Sequence, residues 1–430
     1  MRMEYTHVSL PLGKGHIEVD VPNAIAVAEP HYMAPVPDPR MEIRRAIENP
    51  IGSPRLKDIA RGKKNAAIVV NDITRPYQGG LMVLEIAREL ALAGFTDEQI
   101  FLVVAYGTHR KNTPEELIGM FGEEVCRRFR FVHHDAEDDN TLELIGHTDI
   151  GMPVQINKEF AHADVKILTG LITPHACAGY SGGRKSIVPG ISGFECLKTH
   201  HSFPIVPADP AMGWLEGNLF HEQALDAARV AGVDFIVNHV DNADREMVLC
   251  VAGDLNEAHI AGTKVCKKIW SISIPTRADV VIATPGGFPR DIDLHQAQKA
   301  CSVSEMACKK GGHIILVADA PDGGAKFGVV LKEANSPQAV VDLFAREGMR
   351  AGANRGKAYM WARGLLKHKM SVANSRMSKE ELNSMFIDYY PTVQDAVEDS
   401  LRIYGENATF VVIPHAADMF VTVEDEQGAK

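Results

Sequence analysis

Residues 66–77 read AAIVVNDITRPY. An unbroken apolar run with β-branched residues meets a polar loop that carries Asp72, Thr74 and Arg75 ahead of Pro76. A short continuous run of this kind predicts a strand buried on both faces. Apolar residues at helical spacing then continue to about Ala93, so the unit reads as strand, loop, helix. The same order returns downstream. Ile100–Ala105 runs into Tyr106-Gly-Thr-His-Arg110. Thr113-Pro-Glu-Glu116 then opens a helix with a capping threonine, proline at the first helical position and a glutamate placed for the reciprocal cap. A third unit starts with the strand at Val165–Leu168 and leads into residues 175–201, HACAGYSGGRKSIVPGISGFECLKTHH.

This alternation predicts an α/β fold of two domains, each a mainly parallel sheet flanked by helices. Residues 1–270 are expected to form the N-terminal domain. Residues 271–407 form a C-terminal domain whose first strand after the crossing is Ala278–Ala283. Whether 408–430, with its strand Thr409–Ile413, returns to complete the first domain stays open. Ligands of such sheets bind beyond the carboxyl ends of strands, where Asp72, Arg75, His109 and His175 all fall. The expected active site therefore lies in the cleft between the domains.

The chain has 430 residues and a formal net charge of −11. That balance argues against nucleic acid or an anionic membrane as the main partner and makes any basic patch local. No uninterrupted apolar run reaches transmembrane length. The opening MRMEYTHVSLPLGKGHIEVDVP alternates like a hairpin and lacks a signal peptide's apolar core. Seven cysteines without a CxxC pair read as reduced thiols of a cytoplasmic protein. Cys177 reads as a small packed thiol, and Cys301 and Cys308 as core positions on a helix.

Chemistry concentrates in residues 175–201. Gly179, Gly182 and Gly183 permit positive φ and close backbone approach, and with Ser181, Arg184 and Lys185 they suggest an anion cradle for phosphate. The plainer reading is a Gly-rich turn with a solvated Arg-Lys pair. A Walker loop does not fit, because Arg184 occupies the slot that needs glycine. No G-x-G-x-x-G follows a strand, which weakens a conventional nicotinamide dehydrogenase. His133-His134-Asp135 is a poor metal site. Gln296 and Lys299 share a helical face and can reach one ligand.

Taken in order, Asp72-x-Thr-Arg-Pro76, Gly107-Thr-His109, His175 through Gly190 and Gln296-x-x-Lys299 resemble the nickel-dependent lactate racemase family, the 2-hydroxyacid racemases and epimerases. The Gly-Tyr-Ser-Gly-Gly-Arg-Lys run ending in Pro-Gly is the most specific part, and the resemblance spans most of the chain. It implies a covalently attached nickel-pincer nucleotide, pyridinium-3,5-bisthiocarboxylic acid mononucleotide. Lys185 is the implied tether, through a thioamide, and His201 the implied nickel ligand, with His200 an alternative. The resemblance further implies His109 and His175 as acid/base residues. Arg75, Gln296 and Lys299 become substrate contacts, and Asp72 a supporting residue. His295 stands where the family's lactate racemase has tyrosine, which leaves the identity of the acid open. Implied partners are a small 2-hydroxyacid and cofactor-maturation proteins.

The chemistry suits these residues. Taking the C2 hydrogen as hydride avoids a carbanion beside a carboxylate and leaves a planar 2-oxoacid. No side chain accepts hydride, so a cofactor must. Histidine suits removal of the hydroxyl proton near neutral pH, and two enantiomers call for two histidines. Arg75 and Lys299 supply cations for the carboxylate. Ser181–Arg184 would cradle the nucleotide phosphate. Two other readings stay open: a phosphate-binding transferase or kinase, and a non-catalytic organic-acid binding protein.

Overall fold

The computed structural model describes residues 4–74, 78–351 and 354–427. The chain divides into two compact units, one of Tyr32–Pro207 with Trp214–Ile269, the other of Met1–His31, Ala208–Gly213 and Trp270–Lys430.

The first unit is built on a six-stranded sheet in the order Met247–Gly253, Phe235–Asp241, Val165–Leu171, Ala66–Asn71, Ile100–Ala105, Arg130–His133. Every neighbouring pair is parallel except Met247–Gly253, which runs antiparallel to Phe235–Asp241. The central strands are apolar on both faces because both are covered. On one face, Ile68, Val70, Leu102, Val104 and Ile167 pack with Ile43 and Ile47 of helix Pro39–Glu48 and with Val83, Ile86 and Leu90 of helix Gly79–Ala91. The helix Pro114–Arg128 starts as its sequence predicts: Thr113 Oγ1 accepts from the Glu116 N–H, and Glu116 Oε2 accepts from the Thr113 N–H.

The second unit carries a six-stranded, wholly parallel sheet ordered Asp388–Tyr390, Lys369–Ala373, Cys308–Val317, Ala278–Ala283, Phe410–Ile413, Ala24–Val27. Its membership corrects the expected boundaries. The opening hairpin, Tyr5–Leu12 paired with Gly15–Pro22, buries Val8, Leu10, Val19 and Val21 against Val280, Ile282, Ile315 and Val412. Residues 1–31 therefore do not join 32–269. The last strand, Phe410–Ile413, pairs with Ala278–Ala283 and does not return to the first sheet. Two hydrophobic surfaces, one on the hairpin and one on the sheet, are removed from water together, and that burial holds the N-terminal segment where it is.

All seven cysteines are free thiols. Cys301 lies on helix Leu294–Ala307, whereas Cys308 begins the next strand. Among the described residues no helix is long and apolar enough to cross a membrane.

Candidate active site

Asn71 pairs in register with Ala105, so the loops after these two strands leave the sheet side by side. Asp72 and His109 sit on those loops. Asp72 is buried at 3% exposure, and its Oδ1 accepts from the hydroxyl of Thr74 at 2.7 Å and from the Thr74 N–H at 3.3 Å. Its Oδ2 lies 2.7 Å from Nδ1 of His109. Donors reach both oxygens, so the carboxyl acts as an ionised acceptor and His109 carries its proton on Nδ1. Nε2 of His109 is then the basic nitrogen, on a side chain left half exposed. The His109 N–H donates to Tyr106 O at 2.8 Å, which closes the turn. Gly107, at φ +55°, donates its N–H to Gly190 O at 2.9 Å, joining this loop to the glycine-rich segment.

His175 follows the next strand of the sheet. Its two-residue strand with Pro174 folds back on Gly179–Tyr180. There Nδ1 of His175 accepts from the N–H groups of Cys177 and Ala178 at 3.2 and 3.1 Å. The turn depends on Gly179, which sits at φ +73° and where a Cβ would lie 2.2 Å from Trp214 O.

The glycine-rich loop differs from the expected phosphate cradle. The Ser181 N–H donates to Thr173 O at 2.8 Å, and the Ser181 hydroxyl donates to Leu171 O at 2.7 Å. The Gly183 N–H donates to Asn238 Oδ1 at 2.8 Å. Gly182, at φ +75°, packs against Ile172 and Asn238. Arg184 is turned inward at 1% exposure. Its guanidinium donates to Ala178 O at 2.6 Å, Gly182 O at 3.3 Å and His259 Nε2 at 2.9 Å. Arg184 thus staples the loop, and the amides of Ser181 and Gly183 are already spent on it. A loop that curls through positive φ brings its own carbonyls within reach of its cation, and this local closure was invisible in the spacing. Burial alone pulls the Arg184 pKa down to about 9, so it stays charged at neutral pH.

Neutral imidazoles surround that cation. Burial, then the Arg184 charge, holds His259 well below its usual value and His221 down to about 3. His259 Nε2 also lies 2.8 Å from Ser181 O. The guanidinium only donates and the carbonyl only accepts, so Nε2 satisfies one of them at a time.

His200 and His201 end helix Phe194–His200. His200 is fully buried, and its Nε2 donates to Phe220 O at 2.9 Å. His201 is held neutral, with its pKa down to about 4, by burial and by the charge of Lys185. Phe220 ties these groups together, with ring centroids 4.0 Å from His200, 5.0 Å from His201 and 6.4 Å from His175. Phe220, Asn238, His221 and His259 escaped the sequence reading, because nothing local marks them.

His133 and His134 are engaged elsewhere, with Tyr106 OH at 2.9 Å and Ser192 O at 3.1 Å. Arg75 lies outside the described residues. In the second unit, helix Leu294–Ala307 carries His295, Gln296 and Lys299. Asp293 caps it by accepting from the Gln296 N–H at 2.7 Å. Lys299 Nζ donates to Gln296 Oε1 at 3.1 Å, so these two share a face as expected. The His295 ring tilts against Phe327 at 6.2 Å.

Two family models match the chain: the lactate racemase N-terminal domain over residues 12–213 and the lactate racemase C-terminal domain over 274–421. The lactate racemase of Thermoanaerobacterium thermosaccharolyticum is 31% identical over 424 residues, covering 96% of this chain and 99% of that protein. The lactate racemase of Lactiplantibacillus plantarum is 32% identical over 383 residues, covering 88% and 90%. The solved lactate racemase apoprotein from T. thermosaccharolyticum superposes with a TM-score of 0.88 at 31% identity, over 97% of this chain and 100% of that one. A Thermotoga maritima protein at 16% identity and TM-score 0.65 shares the fold. With both domain models matched in order and relatives aligned over nearly their whole length, the chain belongs to the lactate racemase family and is an isomerase.

Proposed function

We propose that this chain inverts the C2 centre of a 2-hydroxyacid, lactate or a close relative, by reversible hydride transfer through a 2-oxoacid. The Asp72–His109 pair carries this reading. A basic Nε2, backed by a carboxylate on the adjacent strand end, suits removal of a hydroxyl proton as hydride departs. The curated relatives named lactate racemase support it.

Because no side chain accepts hydride, the reading needs a cofactor, and we assign the nickel-pincer pyridinium mononucleotide. When bound, that group supplies the hydride acceptor. Lys185 would hold it through its amine. His201 would coordinate nickel: its imidazole is neutral at physiological pH and feels the Lys185 charge. His200 is the weaker candidate, since its Nε2 is already committed to Phe220 O. Ser181, Gly182, Gly183 and Arg184 shape the cofactor loop, Arg184 from inside it. Arg75 and the Lys299–Gln296 pair are assigned to the substrate carboxylate, with His295 beside them on the same helix. Cofactor-maturation proteins are the expected partners, and the free thiols suit a reducing cytoplasm.

The test is protein made together with the maturation machinery, assayed on both enantiomers of lactate and a panel of chiral 2-hydroxyacids. Intact mass and nickel content are measured alongside. The reading expects an adduct and nickel on the wild type, inversion of at least one acid, and no adduct on Lys185→Ala. Equal adducts on both proteins would remove the tether, and nickel-loaded enzyme that turns over no acid would remove the function.

A further inference from the structure

Helix Leu294–Ala307 carries His295, Gln296 and Lys299 at its start, while Glu305 and Met306 at its end line a cavity of about 950 Å³. Nine positions separate Gln296 from Glu305, about 14 Å along the axis, so this is not the place assigned to the substrate. The cavity lies at the amino ends of the second sheet. Arg277 precedes strand Ala278–Ala283, Cys308 begins Cys308–Val317, and His368 precedes Lys369–Ala373. All of its lining residues belong to the unit that holds that sheet. Its volume falls in the range of pockets that enclose small organic molecules.

Arg277 is arranged there to receive a carboxylate. Its Nη1 donates to Glu305 O at 3.2 Å, which fixes the plane of the guanidinium at the helix end. The other edge, Nε and Nη2, donates to the two carboxylate oxygens of Glu426 at 2.6 and 3.1 Å, the paired geometry of a guanidinium–carboxylate fork. Glu426 comes from the acidic segment Glu424–Gln427, and its side chain is 53% exposed. An ion pair so exposed contributes little, so a carboxylate that also buries an apolar body can take its place. Met306, Leu366, Val421 and Val423 offer apolar surface for that body. The charges agree. With Glu426 displaced, Arg277, Lys310 and Lys367 on the wall outnumber Asp209 and Glu305. Glu305 is moreover paired with the buried Arg363 at 2.8 Å, and Asp209 with Lys367. His368, also on the wall, is kept neutral by burial, which pulls its pKa down to about 4.

We propose that this cavity is a second ligand site, for a small organic carboxylate with an apolar body, in which Arg277 grips the carboxylate and Glu426 is its built-in competitor. No covalent bond changes, because one carboxylate replaces another on the same fork. The site is independent of the racemase reading, since no group assigned to catalysis lines it.

The probes are hexanoate, hexan-1-ol and hexylamine, titrated into the full-length chain and followed by ligand-observed NMR. Every protein carries Lys299→Ala, which removes an assigned carboxylate contact of the active site. Hexanoate should bind saturably with a Kd of about 1 mM, and the alcohol and amine at least about tenfold more weakly. Adding Arg277→Gln should weaken hexanoate by about tenfold or more, with Arg277→Lys in between because it keeps the charge without the fork. Adding Glu426→Gln should act in the opposite sense and tighten hexanoate by about two- to fivefold. This change lies on an exposed side chain, so it tests the site even if the Arg277 variants melt early. Absence of saturable hexanoate binding overturns the proposal. So do equal binding of hexanoate and hexylamine, an unchanged Kd in folded Arg277→Gln, or a Kd that Glu426→Gln leaves unchanged or weakens.

Discussion

The carboxylate of Asp72 grips the Nδ1 edge of His109 at 2.7 Å, bridging the ends of two strands that pair in register from Ala66–Ile100 to Asn71–Ala105. Backbone pairing sets the spacing of the two loops, and the Thr74 hydroxyl holds the carboxylate in place. Asp72→Asn keeps an accepting oxygen but loses the charge that supports an imidazolium. We expect kcat to fall by about 10²-fold or more, with the melting temperature nearly unchanged. Steady-state kinetics beside a thermal melt measures both.

The enantiomers of an acid are equal in free energy, which constrains every variant. Replacing His109 by glutamine must lower kcat/KM by the same factor in both directions, whatever happens to kcat and KM singly. Initial rates from each enantiomer over a range of concentrations give the two ratios. Unequal kcat/KM values would mean that the assay is not following a simple racemisation.

Phe220 is 1% exposed and packs on His200, His201 and His175. Phe220→Ala removes a buried ring whose neighbours are themselves fixed, so a cost of about 3–5 kcal/mol is expected. Urea unfolding monitored in the unit that contains it should show that loss. Nickel retention by the loaded variant should fall as well, because the ring positions His201.

Gly179→Ala faces two obstacles: φ of +73° and a backbone oxygen 2.2 Å from the new Cβ. The His175 turn must shift to admit it. A stability loss above about 1 kcal/mol is expected from the backbone conformation alone, together with perturbed His175 ring signals.

His313 is fully buried between the hydroxyls of Ser400 and Ser371, each at 2.8 Å, and burial pulls its pKa down to about 3. The unfolded chain binds a proton near pH 6.5 and the folded unit does not. Stability is therefore complete above that pH and falls on acidification, by about 1.4 kcal/mol per pH unit from this residue, until about pH 3. His313→Asn should flatten the decline between pH 6.5 and 5 in denaturant titrations.

The strands Ala66–Asn71 and Ile100–Ala105 were legible because each is an apolar run cut off by a polar loop, and the third was legible only as Val165–Leu168, because Thr169 and Gly170 interrupt the apolar pattern before it ends at Leu171. The cap at Thr113 was legible because its donors and acceptors lie within three residues. Ala24–Val27 was not, since its partner Phe410–Ile413 lies at the far end of the chain. Arg184 misled because a charged side chain reads as solvated. Its carbonyl partners come from a loop whose path depends on three positive-φ glycines, and its imidazole partner His259 is 75 positions away. The spacing of His109 and His175 suggested equivalence; their Nδ1 partners, a side chain in one case and main chain in the other, became distinct only in three dimensions.

The pairing of Ala24–Val27 with Phe410–Ile413 also dictates a timetable for the nascent polypeptide. At ribosomal speeds of about 5–20 residues per second, the opening segment waits roughly 20–80 s for the strand it must join. Until then Ala24–Val27 lacks the neighbour it pairs with, while the stretch translated in between is free to collapse ahead of it.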